Sequence, residues 1–113
     1  MDTISPENTQ SQMRKGILEF IVILVISRGP IYVSDILKEL KANELIVVEG
    51  TVYPLLSRLK NSGMLEYSWK ESKSGPPRKY YTLTKKGQEM RKQLTETWGR
   101  LSKSINSLMK DVK

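Results

Sequence analysis

Apolar residues first gather between Ile17 and Ile26, ten positions interrupted only by Glu19. A membrane-spanning helix needs about 20 apolar residues, so this run is too short for one. A helix that is apolar nearly all round is expected to be buried on more than one side, and the domain core and a second subunit are the surfaces that could cover it. The spacing predicts a first helix from Gln12 to Ser27, stopped by Arg28-Gly29-Pro30. A second helix is expected to start with Ser34 as its N-cap and Asp35 in its positive first turn. It carries Ile36, Leu37 and Leu40 at helical spacing and ends near Asn43.

The third helix lies in the stretch EGTVYPLLSRLKNSG. Val52, Leu55, Leu56 and Leu59 form one apolar stripe. Pro54 is placed at the end of the first turn, where it removes no helical hydrogen bond. Pro54, Ser57, Arg58 and Asn61 point away from the stripe, flanked by Thr51, Tyr53 and Lys60.

After Gly63 the period drops to two. Leu65, Tyr67 and Trp69 alternate with Glu66, Ser68 and Lys70, the pattern of a half-buried strand with Trp69 on its core face. The segment ESKSGPP follows, then a second strand in RKYYTLT, giving a hairpin with a loop longer than the minimal turn. Pro76-Pro77 is expected to stiffen that loop. Thr84 can cap a last helix in which Met90, Leu94, Trp98, Leu101, Ile105, Leu108 and Val112 sustain an a/d seam.

Three helices, a hairpin and a long helix spell a mainly α, α+β fold. It is a winged helix-turn-helix with a two-stranded wing and a long C-terminal helix. The expected division is a flexible segment over residues 1–11, the winged helix-turn-helix over 12–84 and the tail helix over 85–113.

Composition narrows the chemistry. The 113 residues suit one domain and contain no histidine and no cysteine. Thiol nucleophiles, disulfides, imidazole catalysis and the usual soft metal sites are removed together, as are pH and redox switches built on those residues. No enzyme activity and no cofactor are expected. The polar start, MDTISPENTQSQ, has no basic region ahead of an apolar one, so no signal peptide is expected and the cytoplasm is the default address.

Charge then sets the direction. The chain carries a net +7, and the segment from Ser57 to Lys92 holds ten cations against three acids, which is the whole excess. A solvated face is the plain reading of such a run. Its coincidence with the third helix and the hairpin, the elements a winged helix presents to DNA, favours nucleic acid. A peripheral membrane role fits less well, because the charge sits on a hairpin and not on an amphipathic helix. The other competitor is a winged-helix module that binds protein without sequence-specific DNA binding.

Two blocks carry a family resemblance. The run Gly50-Thr51-Val52-Tyr53-Pro54-Leu55-Leu56 with Arg58-Leu59 and Gly63, and the run from Gly75 to Thr84 with Gly87 after it, resemble the PadR-like transcriptional regulators. The single long C-terminal helix resembles the short subfamily. The resemblance implies a cytoplasmic homodimeric repressor on pseudo-palindromic, double-stranded operator DNA. It places the third helix in the major groove and a wing at Ser72 to Arg78 on phosphates or the minor groove. It also implies a tail helix packed on the partner's first helix, and release by a small planar aromatic or cationic effector.

The DNA-contact candidates are Ser34, Thr51, Tyr53, Ser57, Arg58, Lys60, Lys73, Arg78 and Lys79. Arg58 can serve a guanine edge or a phosphate, with phosphate favoured by its late position in the helix. Tyr53 either meets DNA or packs its ring on the second helix with only the hydroxyl outward. The dimer candidates are Phe20, Leu24, Leu94, Trp98, Leu101, Ile105 and Leu108. Trp98 is also the ligand candidate that the resemblance supplies, against the plainer role of an interface aromatic. Glu96 and Asp111 are acids available to flank a cationic ligand, though nothing in their spacing requires it. A tightly filled aliphatic first helix would leave no room for such a pore.

Overall fold

A computed structural model describes residues 4–45, 47–73 and 75–112. The elements are α1 (Pro6–Ile26), α2 (Val33–Ala42), α3 (Glu49–Asn61), β1 (Leu65–Ser72), β2 (Gly75–Leu83) and α4 (Lys85–Lys110). This is the expected order: helices first, then an antiparallel two-stranded wing, then a long tail helix.

Side chains from α1, α2, α3 and the hairpin build one core. Val22, Ile23 and Ile26 of α1 meet Ile36 and Leu40 of α2, Val52, Leu56 and Leu59 of α3, and Leu65 and Tyr81 of the hairpin. The apolar stripe read from α3 is buried as a unit, at Val52, Leu55, Leu56 and Leu59. An isolated bridge between Ile31 and Tyr81 ties the α1–α2 connection to the outer edge of β2.

Several boundaries differ from the sequence expectation. α1 starts at Pro6, not at Gln12, because the Ser5 hydroxyl accepts from the Asn8 N–H at 3.1 Å and Pro6 fits the first helical position. These first turns carry no apolar period, which is why periodicity misses them. Residues 1–3 of the segment expected to be flexible lie outside the described residues. α2 starts at Val33, with Tyr32 and not Ser34 at the N-cap, and no side-chain cap bond is made there. Pro54 stands inside α3, beyond its first turn. Its missing N–H falls on the exposed side, where water can serve the carbonyl left over.

The hairpin is longer and its connection shorter than expected. Only residues 73 and 74 join β1 to β2, and residue 74, at the tip of the expected wing, lies outside the described residues. Pro76 and Pro77 belong to β2, where the register shifts between Lys70 and Ser72. Prolines offer no N–H to the ladder, so an irregularity at this pair is the natural accommodation. The Ser72 hydroxyl donates to the Pro76 carbonyl at 3.0 Å and closes the tip.

Two glycines fix the joints. Gly63 ends α3 with φ +80, a left-handed conformation that disfavours any side chain. Gly87 lies in the first turn of α4, where a Cβ would run into the Met64 carbonyl oxygen. The Thr84 hydroxyl accepts from the Gly87 N–H at 3.0 Å and donates to the Gly63 carbonyl at 2.6 Å. One threonine thus caps α4 and clamps it to the α3–β1 turn.

Candidate nucleic-acid interface

α3 presents three lines of exposed side chains, because its buried stripe occupies one side. Ser57 and Pro54 face outward. Tyr53 and Lys60 flank the stripe on the hairpin side, and Thr51 and Arg58 flank it on the α1 side. The structure therefore divides the α3 candidates between two neighbourhoods.

On the hairpin side, an open groove of about 510 Å³ brings together Tyr32 and Ser34 at the start of α2, Glu49 and Tyr53 of α3, and Trp69, Arg78 and Lys79 of the hairpin. Ser34 is exposed in the first turn of α2. The Arg78 guanidinium lies over the Tyr32 ring at 4.7 Å. The Lys79 ammonium lies 4.3 Å from the Tyr67 ring centre and 5.3 Å from that of Trp69. Lys60 approaches Tyr67 from α3 at 5.0 Å, and Lys70 lies over Tyr80 at the same distance. Each is within cation–π range, so the aromatic rings position the cations without neutralising them. Tyr53 lines this groove beside Val33 and Ser34 while half its surface stays exposed.

On the α1 side, Thr51, Pro54 and Arg58 share a second open groove with Lys15, Leu18 and Glu19. Here Arg58 donates to the Glu19 carboxylate at 3.0 Å, an exposed ion pair. Glu19, the single interruption of the apolar run, thus faces the third helix. Lys73 is exposed at the hairpin turn, away from both grooves.

Beneath the first groove, burial raises the pKa of Tyr81 above its ordinary value, with smaller contributions from Tyr53 and Tyr67. Its ring is part of the core, and it holds the base of the hairpin in register opposite Tyr67.

Trp69 departs from expectation. Alternation assigned it to the core, yet it is 62% exposed. The strand face is as read, since Leu65, Tyr67 and Trp69 stand opposite Leu83, Tyr81 and Lys79. The helical core ends beneath Leu65 and Tyr67, and the hairpin continues past it. Pairing Leu65 with Leu83 in the sequence already puts Lys79 across from Trp69, a signal of a position outside the core.

A second surface runs along α4. Met90 and Leu94 pack against the edge of the core. Beyond them Trp98 is 44% exposed, Leu101 51% and Ile105 47%, with Leu108 still more open. On α1, Phe20 is half-buried and Leu24 is exposed. Glu96 is exposed on α4 and Asp111 forms its C-cap. Among the described residues, no helix is long and apolar enough to cross a membrane.

Known proteins share this architecture. Residues 22–93 match the model of the transcriptional regulator PadR-like family. A PadR-like transcription factor from Bacteroides fragilis is 51% identical and superposes with a TM-score of 0.75, over 89% of this chain and 98% of its own. A PadR-like transcriptional regulator from Bacillus cereus is 37% identical with a TM-score of 0.78, over 87% of this chain and 96% of its own. A more distant likeness of fold, at 20% identity and a TM-score of 0.64, is to Bacillus subtilis PadR in complex with operator DNA, over 70% of this chain and 47% of that one.

Proposed function

Because the chain belongs to the PadR-like family of transcriptional regulators, we propose that it represses transcription as a homodimer bound to operator DNA. Members of this family are regulators of transcription, not enzymes. One observation carries the DNA reading. The groove that joins Ser34, Tyr53, Arg78 and Lys79 links the start of α2, the flank of α3 and the outer half of the wing into one surface bearing cations and hydroxyls. A winged helix meets duplex DNA with those elements, and the Bacillus subtilis relative of the same fold is bound to an operator.

In this account residues 12–84 form the DNA-binding domain and residues 85–113 the dimerisation helix, in a protein acting in the cytoplasm. Ser57, Tyr53 and Thr51 face base edges, and Lys60, Lys73, Arg78 and Lys79 hold phosphates. Arg58 reaches a phosphate by exchanging its Glu19 partner for one. The exposed apolar line of Trp98, Leu101, Ile105 and Leu108 meets the Phe20–Leu24 side of the partner's α1, with Leu94 at its inner end. A planar aromatic or cationic effector is received at Trp98 and releases the DNA by altering that interface.

The test is fluorescence anisotropy with a duplex from upstream of the protein's own gene beside a scrambled duplex, at low and physiological salt. Selective binding that persists at physiological salt is the expected result. Equal, weak binding to both duplexes would reduce the surface to an electrostatic patch and favour a protein-binding module.

A further inference from the structure

Trp69 is a large apolar ring left in water among cations. The Lys79 ammonium sits at 5.3 Å from it, Tyr67 meets its ring edge-on at 6.3 Å, and Arg78, Tyr53 and Ser34 line the same groove. The buried core stops short of it, leaving the ring 62% exposed in a groove that the starts of α2 and α3 also line. A ligand for this corner must offer an apolar face and an anion a few ångströms apart. The deoxyribose–phosphate backbone repeats that pair at every nucleotide.

We propose that Trp69 contacts the operator backbone directly, its indole face against a deoxyribose while Lys79 takes the adjoining phosphate. This rests on the operator-binding reading above. The corner is concave and continuous with the α3 flank, which suits a strand already engaged by the recognition helix better than a flat lipid surface. Glu49 lines the same groove, so the phosphate belongs at its Arg78–Lys79 end.

The experiment uses the full-length chain and the upstream duplex. Trp69→Ala should weaken binding by about tenfold, in the range that aromatic contacts to nucleic acid give. Trp69→Phe should keep most of the affinity. The salt dependence separates direct contact from positioning. Trp69→Ala should leave the slope of log K against log salt unchanged, because an apolar contact releases no counterions, whereas Lys79→Ala should lower it by roughly two, about one for each subunit of the dimer. The change in tryptophan emission on adding duplex should shrink markedly in Trp69→Phe, which leaves Trp98 as the sole indole.

Wild-type affinity in Trp69→Ala, or an undiminished emission change in Trp69→Phe, would overturn the proposal while leaving DNA binding intact. A slope lowered in Trp69→Ala would also overturn it, making Trp69 a support for Lys79. Loss of binding to phosphatidylglycerol vesicles with unchanged duplex affinity would assign the residue to a membrane surface instead. Failure of the wild-type chain to bind any duplex would remove the operator reading and this inference with it.

Discussion

Gly87 shows how one residue sets the geometry of the tail. Its Cα hydrogen faces the Met64 backbone carbonyl so closely that no Cβ fits, and backbone cannot yield as a flexible side chain can. The contact fixes where α4 leaves the domain, together with the Thr84 clamp on the Gly63 carbonyl. Gly87→Ala should therefore destabilise the fold by roughly 1–3 kcal/mol, the range for overpacking, with a lower melting temperature as the measurement. An unchanged melting temperature would mean that α4 can shift freely at its root. At this scale the sequence is informative where chemistry is local. Thr84 is readable as a cap, because a hydroxyl before a helix has one obvious use. Arg58 is readable as a cation but not as the partner of Glu19, which lies 39 positions away with no sign in between of the packing that joins α1 to α3.

Among the elements, the helices are the most legible, because burial on one side imposes a period that survives in the sequence. The α3 stripe is the clearest case, and its core-facing residues are those the period selects. The hairpin is legible in register but not in reach. Alternation tells which face Trp69 occupies, and says nothing of where the core ends. The ends of α1 and α2 escape for a related reason. Ser5 and Tyr32 mark starts that apolar spacing does not touch, and Ser34 is an attractive cap two residues too far along. Tyr81, at the root of the hairpin, links element stability to pH. Burial raises its pKa above roughly 10, so the folded state holds the proton more tightly than the unfolded chain. The resulting stabilisation is complete below the ordinary tyrosine pKa and is lost as pH rises through the raised one. Thermal unfolding followed from pH 9 to 11 should show a steeper loss for wild type than for Tyr81→Phe, which cannot titrate. Parallel profiles would show that the ring is no more desolvated folded than unfolded.

For the molecule as a whole, shape and exposed apolar surface go together. It measures 55 Å in its longest dimension against 30 and 29 Å in the others. Most of α4 carries an apolar line with no counterpart in its own chain, from Trp98 to Leu108. A 26-residue helix of this kind is a costly exposure unless a second copy covers it. The seam is written in the sequence as a heptad pattern, yet a pattern alone does not divide it. The structure does, giving Met90 and Leu94 to the chain's own core and leaving the rest outward. Charge is distributed to match, with the cations of α3 and the hairpin on the domain body and the apolar line on the tail.

A dimer through α4 would join two recognition helices and make the second half-site contact intramolecular. Linkage of that kind raises affinity by factors of about a hundred or more without any new contact to DNA. The most direct measurement is an anisotropy titration of wild type and Leu101→Asp side by side against the upstream duplex, with sedimentation defining the state of each. The account predicts a dimer that binds selectively and a monomeric variant that binds at least about a hundredfold more weakly. A monomeric Leu101→Asp chain with wild-type affinity would contradict it.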